Sequence, residues 1–399
     1  MVHATPKAVS PGLVVAICFG VAMLEGYDIQ SLGVAMPALG PLLHLTDVDK
    51  ANALTAASVG LVLGAVFGGW LADRIGRKPV LVGSVVWFGV FSLATILANG
   101  ADTLTLARFA TGLGFGGAMP NLIAVATEIS RPERRSLTTT TIFVGMPAGG
   151  SVVSLVAFFS PHGFDWRLIF VIGGAAPLLL APLAMLLLPE TRPAAPTGPV
   201  DRRSLTALFG GGRALTTVMM WTAFALTLVV VYLMVNWTPT LAIAKGVAKS
   251  QAPLTALSFN LAGIFGGVIA GMLADRFGFR WLLAGIYVAL MAVMGALIAA
   301  SGFGPMMVLA GLAGLLVLAA NYVLYAMAPI YYAAVVRGTG SGAAVAAGRI
   351  GSIVGPYAAG LLLAAGFSAG QVMESTIPVV LGAGLAAVLL TVVGKPHRD

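Results

Sequence analysis

Charge is what this chain has least of. Asp, Glu, Lys and Arg make up 9% of its 399 residues, against about 25% in a soluble domain. A water-soluble globule of this length cannot cover itself with so little charge. Hydrophobic residues make up 59%, and the mean hydropathy is +0.98, so most of the chain is dissolved in lipid. A soluble enzyme, a disordered protein and a secreted disulfide scaffold are thereby excluded. Cysteine is scarcer still. Cys18 is the only one, which leaves no intramolecular disulfide and no cysteine-based metal site. The four histidines (His3, His44, His162 and His397) fall in loops or termini and form no metal cluster. A Walker sequence is missing, so the chain has no ATP-driven domain of its own. Gly112, Gly114 and Gly117 have the spacing of a dinucleotide loop, but no strand precedes them, and they read as helix-packing glycines.

What is present is a series of long apolar runs. About 20 apolar residues cross a ~30 Å hydrocarbon core. The runs predict twelve helical spans, at about 12–36, 52–72, 79–99, 104–127, 138–160, 168–188, 214–239, 253–274, 281–301, 305–330, 340–366 and 373–394. The first shows no clear cleavage pattern and reads as a span, not a signal peptide. Trp281 to Val336 contains no charged residue, and Gly302, Gly304 and Pro305 supply the break that makes it two spans. The formal charge of +8 lies in short clusters between spans, with no aromatic-plus-basic groove for nucleic acid. Sixteen of the 22 basic residues fall on the side of the termini and four on the other. By the positive-inside rule both termini of this multi-pass chain are expected to be cytoplasmic.

The chain also repeats itself. Gly69-Trp-Leu-Ala-Asp73-Arg74-Ile-Gly76-Arg77 follows span 2, and Gly271-Met-Leu-Ala-Asp275-Arg276-Phe-Gly278 follows span 8, offset by 202 residues. The expected architecture is therefore all-α. It has a six-helix bundle over 1–188, a Pro- and Arg-rich cytoplasmic linker over 189–213, and a second bundle over 214–399. Two such halves rocking about a central site is the plan of many secondary transporters.

The loop element, its copy and the twelve spans resemble the major facilitator superfamily. Finer motifs are similar to its aromatic acid:proton symporters, the 4-hydroxybenzoate and hydroxyphenylpropionate type. These are Glu25-Gly26-Tyr27-Asp28 with Gly33, Ala35 and Pro37, Gly116-Gly117-Ala118-Met119-Pro120-Asn121, Glu128 through Pro132 to Arg134, Trp237-Thr238-Pro239-Thr240, and Arg337-Gly338-Thr339-Gly340 leading to Gly348-Arg349-Ile350-Gly351. The resemblance implies import of an aromatic carboxylate with protons, driven by the proton gradient and needing no cofactor. Three positions depart from the pattern: Glu25 where Asp is common, Ala333 where Pro is expected, and Phe279 where the second loop motif often has a base.

Ionisable groups inside spans are the informative ones, because a central Asp or Arg costs insertion about 2.5–3.5 kcal/mol. Glu25 and Asp28 lie three apart in span 1 and share a face. Two buried carboxylates that close cannot both ionise easily, so at least one is expected to carry the coupled proton; the alternative is a hydrogen bond to a neighbouring helix. Arg349, in span 11, is permanently charged and can grip a carboxylate with two bonds. It reads as the substrate anchor, or as an ion-pair partner of Glu25 or Asp28 until substrate displaces them. Tyr27, Gln30, Asn236, Trp237, Asn321 and Tyr325 are candidates to complete an apolar pocket with a few polar groups. Helix-to-helix bonding is the competing reading for the amides, and an interfacial belt for Trp237 and Tyr232. Arg108, one turn inside span 4, reads as a snorkelling base or a binding residue.

Gating is assigned to the loop charges. Asp73 is expected at the glycine-rich start of span 11, whose free N–H groups attract an anion. Asp275 is expected near Leu137 at the start of span 5. Arg74, Arg77, Glu128 and Arg276 would add charge pairs. The expected partners are a small aromatic carboxylate, protons and the lipid bilayer, with a single chain as the working unit. Rival readings are a carrier of another organic anion, an exporter working as an antiporter, and a non-transporting membrane sensor. A membrane enzyme finds no metal ligands or nucleophile dyad to support it.

Overall fold

The computed structural model describes residues 10–131, 135–160, 165–190, 208–210, 212–332 and 337–394. The linker from Thr191 to Ala207, Ala333 and the side chains of Asp275, Leu137, Arg337 and Gly338 lie outside the described residues. Among those described there are twelve helices long and apolar enough to cross a membrane, and no strand. They are α1 Pro11–Leu42, α2 Asp47–Ile75, α3 Arg77–Leu97, α4 Ala101–Ala126, α5 Thr138–Phe159, α6 Trp166–Leu187, α7 Ala214–Ala244, α8 Ala252–Ala274, α9 Arg276–Ala299, α10 Phe303–Ile330, α11 Thr339–Ala364 and α12 Ala369–Val393.

Local chemistry sets most of the ends. Ser10 caps α1 by accepting from the Leu13 N–H at 3.3 Å, with Pro11 at the first helical position. Thr46 and Asp49 form a capping box at α2. Two turns of the fold require glycine outright. Gly76 (φ 102°) separates α2 from α3, and Gly278 (φ 72°) makes the kink two residues into α9, next to its junction with α8. These are the glycines of the repeated loop element, so the repeat in sequence is a repeat of one left-handed corner. The α9–α10 break falls at Ala300–Gly302, as the glycines there suggested.

The first span is longer than its sequence suggests. It runs 32 residues to Leu42, with Pro37 and Pro41 inside it. Reading Pro37 as a terminus follows the rule for soluble helices. In a membrane bundle, neighbours and local adjustments re-satisfy the freed carbonyls.

Packing repeats between the halves. In the first, α1 lies on α5, α2 on α4, and α3 on α4 and α6; in the second, α7 lies on α11, α8 on α10, and α9 on α12. Backbone-to-backbone contact makes these crossings. A Cβ on Gly116 would collide with the Leu61 carbonyl, and one on Gly314 with that of Phe259. Without a hydrophobic force between helices in lipid, such close approach is a main source of association. The halves meet where α1 faces α7, α2 faces α11 and α5 faces α8. That seam holds the site.

Candidate functional site

At mid-span the seam encloses a cavity of about 90 Å³. Its wall takes Gly26 and Gln30 from α1, Phe143 from α5, Tyr232 from α7, Asn260 from α8, Asn321, Tyr322 and Tyr325 from α10, and Arg349 from α11. Arg349 is ten residues into α11, or ~15 Å along it. Its Nη1 donates to the Tyr232 hydroxyl at 3.0 Å, which fixes the guanidinium at the cavity wall. Tyr325 packs its ring on Phe143 of the other half (5.1 Å between centroids) and edge-on to Phe224 (5.2 Å). The wall is thus aromatic and apolar around one fixed cation. That combination can hold a flat apolar body by its faces and an anionic group by charge-assisted bonds.

The two halves are also stitched at this level by amides. Gln30 Nε2 donates to Asn260 Oδ1 at 3.1 Å, and Asn260 Nδ2 donates to Gln30 Oε1 at 2.7 Å. The pair satisfies itself across the seam.

The acids of α1 have different surroundings. Asp28 is fully buried and faces its own half. Its Oδ2 lies 2.8 Å from Arg108 Nη2, the same Nη2 donates to the Asp28 carbonyl at 2.8 Å, and the Ser92 hydroxyl donates to Oδ1. Arg108 is 1% exposed and does not snorkel. The reason is its depth: α4 begins at Ala101, not at 104, so Arg108 is seven residues in, or ~10 Å. An ion pair with Asp28 offsets the cost of its burial. Glu25 is equally buried, but both its carboxyl oxygens lack a hydrogen-bond partner. The Arg349 guanidinium is within electrostatic reach of it.

Of the pocket residues expected from sequence, the structure brings Gln30, Asn321, Tyr325 and Arg349 to the cavity wall. Tyr27, Asn236 and Trp237 are elsewhere. The Tyr27 hydroxyl donates to the Ile169 carbonyl at 3.0 Å, and Asn236 Nδ2 donates to the Tyr232 carbonyl at 2.8 Å. Trp237 is fully buried and its Nε1 donates to the Pro356 carbonyl at 2.9 Å, so it joins α7 to α11 and is not an interfacial belt residue. Tyr232 is likewise an interior residue; Asn260 lines the cavity and was not placed by sequence reasoning, which left Arg108 between snorkelling and binding. Arg108 carried a signal, an ionisable group inside an apolar run. Asn260 carried none, since an amide eight residues into a span does not announce its partner.

At the end of the bundle that carries the repeated loop element, Arg77 is ion-paired with Glu128, and its backbone N–H donates to Glu190 Oε1 at 3.0 Å. Neither bond reaches the second half. Asp73 is exposed and forms no ion pair with a described residue. The Arg74 guanidinium sits 3.9 Å from the Trp70 ring centroid, and that of Arg276 5.3 Å from Phe277. No group of three or more His, Cys, Asp or Glu side chains among the described residues could hold a metal ion.

Residues 18–258 match the family model described as Major Facilitator Superfamily. The chain belongs to the Major Facilitator Superfamily. It is therefore a transporter and not an enzyme. It is 37% identical to the 3-(3-hydroxy-phenyl)propionate transporter of Escherichia coli (strain K12), over 97% of this chain and 96% of that one. It is 32% identical to the 4-hydroxybenzoate transporter PcaK of Pseudomonas putida, over 97% and 93%. The fold matches that of a D-xylose-proton symporter with a TM-score of 0.78, covering 97% of this chain and 99% of that one at 16% identity. At this identity the likeness is one of fold alone.

Proposed function

We propose that this superfamily member imports an aromatic carboxylate together with one proton, by alternating access of its two halves. The observation that carries the reading is the wall of the central cavity: one fixed guanidinium, Arg349, set among aromatic rings. The relatives named for hydroxyphenylpropionate and hydroxybenzoate transport support the substrate class. The moving bodies in this reading are 1–188 and 214–399, joined by 189–213. Both termini are taken as cytoplasmic in an inner membrane, on the sixteen-to-four division of basic residues. A single chain is taken as the working unit.

Charge accounting assigns the roles. Asp28 is already neutralised by Arg108, which leaves Glu25 as the acid free to exchange a proton. Arg349 holds the substrate carboxylate through bonds that the Tyr232 hydroxyl orients. Beside one guanidinium, a second carboxylate ion would be an uncompensated buried charge. Substrate therefore binds as Glu25 takes up a proton, and the loaded site is neutral enough for the halves to rock. The cavity at about 90 Å³ is tighter than the ~150 Å³ that accommodates benzene. Loading thus requires the seam to part, and parting breaks the Gln30–Asn260 pair. The loop groups Asp73, Arg74, Asp275 and Arg276 are proposed to exchange partners at the cytoplasmic ends, with Arg77 and Glu128 bracing α3 on α4. The proton gradient is the energy source, and no cofactor takes part.

The test is uptake of a labelled carboxylate panel by proteoliposomes under an inward proton gradient. Saturable uptake of 3-(3-hydroxyphenyl)propionate or 4-hydroxybenzoate is expected, and its loss in Arg349→Ala. Failure of every aromatic acid, with robust uptake of sugars or amines, would overturn the reading.

A further inference from the structure

Buried polar atoms in native structures are almost always paired, so each one that is not asks for an explanation. Within the wall of the central cavity the accounting is nearly closed. Gln30 and Asn260 saturate each other, and Tyr232 receives Arg349. One buried lining atom among the described residues is left over: Asn321 Oδ1 has no hydrogen-bond partner. It sits on α10 one turn before Tyr325, nine residues from the helix end at Ile330, or ~14 Å. Arg349 lies at a matching ~15 Å from the start of α11, so the unpaired acceptor and the cation share one level.

The leftover atom is an acceptor, and the anchor opposite in character is a cation. A carboxylate can satisfy Arg349 but offers Asn321 Oδ1 nothing. What satisfies it is a donor on the rest of the ligand. We propose that Asn321 is the specificity residue for a ring hydroxyl: its Oδ1 accepts the phenolic O–H of the aromatic acid whose carboxylate Arg349 holds. This rests on the aromatic-carboxylate reading and narrows it to hydroxylated rings. An acid lacking the hydroxyl buries Oδ1 against carbon and leaves it unpaired. A site built to bond a substrate hydroxyl discriminates strongly against the analogue without it, because the protein group is stranded. Removing the amide should erase that penalty and not add one.

The experiment compares 3-(3-hydroxyphenyl)propionate with 3-phenylpropionate, binding each to the purified full-length protein in lipid nanodiscs. The wild type is expected to prefer the hydroxylated acid by on the order of 10-fold or more. Asn321→Leu, close to isosteric, should bring that ratio to about one while 3-phenylpropionate binds as well as before or better; Asn321→Ala gives the same comparison if the leucine variant does not fold. Retained 3-phenylpropionate affinity reports an intact site, which a merely structural role for Asn321 would not leave. A wild-type ratio near one, or an unchanged ratio in the variant, overturns the assignment. Binding of neither acid to the wild type would instead bring down the aromatic-carboxylate reading beneath it.

Discussion

Arg349 supplies one positive charge to the cavity, and in the proposed cycle two carboxylates compete for it, that of Glu25 and that of the substrate. Substrate binding and proton binding at Glu25 therefore favour each other, and by linkage the factor is the same in both directions. The sign follows: affinity for the aromatic carboxylate falls as pH rises through the titration of Glu25, because the deprotonated acid reclaims the guanidinium. In Glu25→Gln the neutral form is fixed. Calorimetric Kd values should become flat with pH, exchange of internal for external substrate should persist, and proton-driven accumulation should be lost. A pH profile unchanged in this variant would remove Glu25 from the coupling role. Asp28 and Arg108 make a different prediction. Taking away one partner of a buried pair leaves an uncompensated ion, at a cost of about 3–5 kcal/mol. Asp28→Asn and Arg108→Gln should each lower the melting temperature clearly, and the double variant by less than their sum. Additive losses would mean that the two side chains do not rely on each other.

The helices were legible in the sequence because lipid imposes a simple rule, an apolar run of fixed length. Their ends were less so. Pro37 ended α1 on paper but not in the bundle, and the three-residue error at the start of α4 turned a buried Arg108 into an apparent surface base. Element pairing is carried by glycine, and it can be tested there. Gly116→Ala places a methyl against the Leu61 backbone, which has no flexible end to move aside. Overpacking of this kind costs typically about 1–3 kcal/mol. Gly295→Ala, in α9, meets nothing within 4 Å and serves as the control. The first should lower the melting temperature of the detergent-solubilised protein and the second should leave it unchanged or slightly raised. Equal effects would show that the α2–α4 crossing does not depend on contact between backbones.

For the molecule as a whole, the site was legible in part for a physical reason. Charge inside a membrane is costly, so Glu25, Asp28 and Arg349 stood out from a background of apolar residues. Which of them pair could not be read, because Asp28 and Arg108 are brought together by the packing of α1 on α4 and leave no periodic trace in the chain. The same holds for Gln30 and Asn260, 230 residues apart. The structure changes the account most at this point. With Asp28 held by Arg108, the proposed cycle uses one exchangeable acid, Glu25, and its stoichiometry is one proton per monovalent anion. Such a cycle moves no net charge. A two-proton cycle would gain ~2.3 kcal/mol per 100 mV of membrane potential, about a 50-fold difference in accumulation. The decisive measurement is therefore uptake of labelled hydroxylated aromatic acid into proteoliposomes, with the pH gradient and a valinomycin-set potassium potential imposed separately. Accumulation that follows the pH gradient and ignores an interior-negative potential is the predicted result. Accumulation that rises with that potential would contradict a single coupling acid at Glu25.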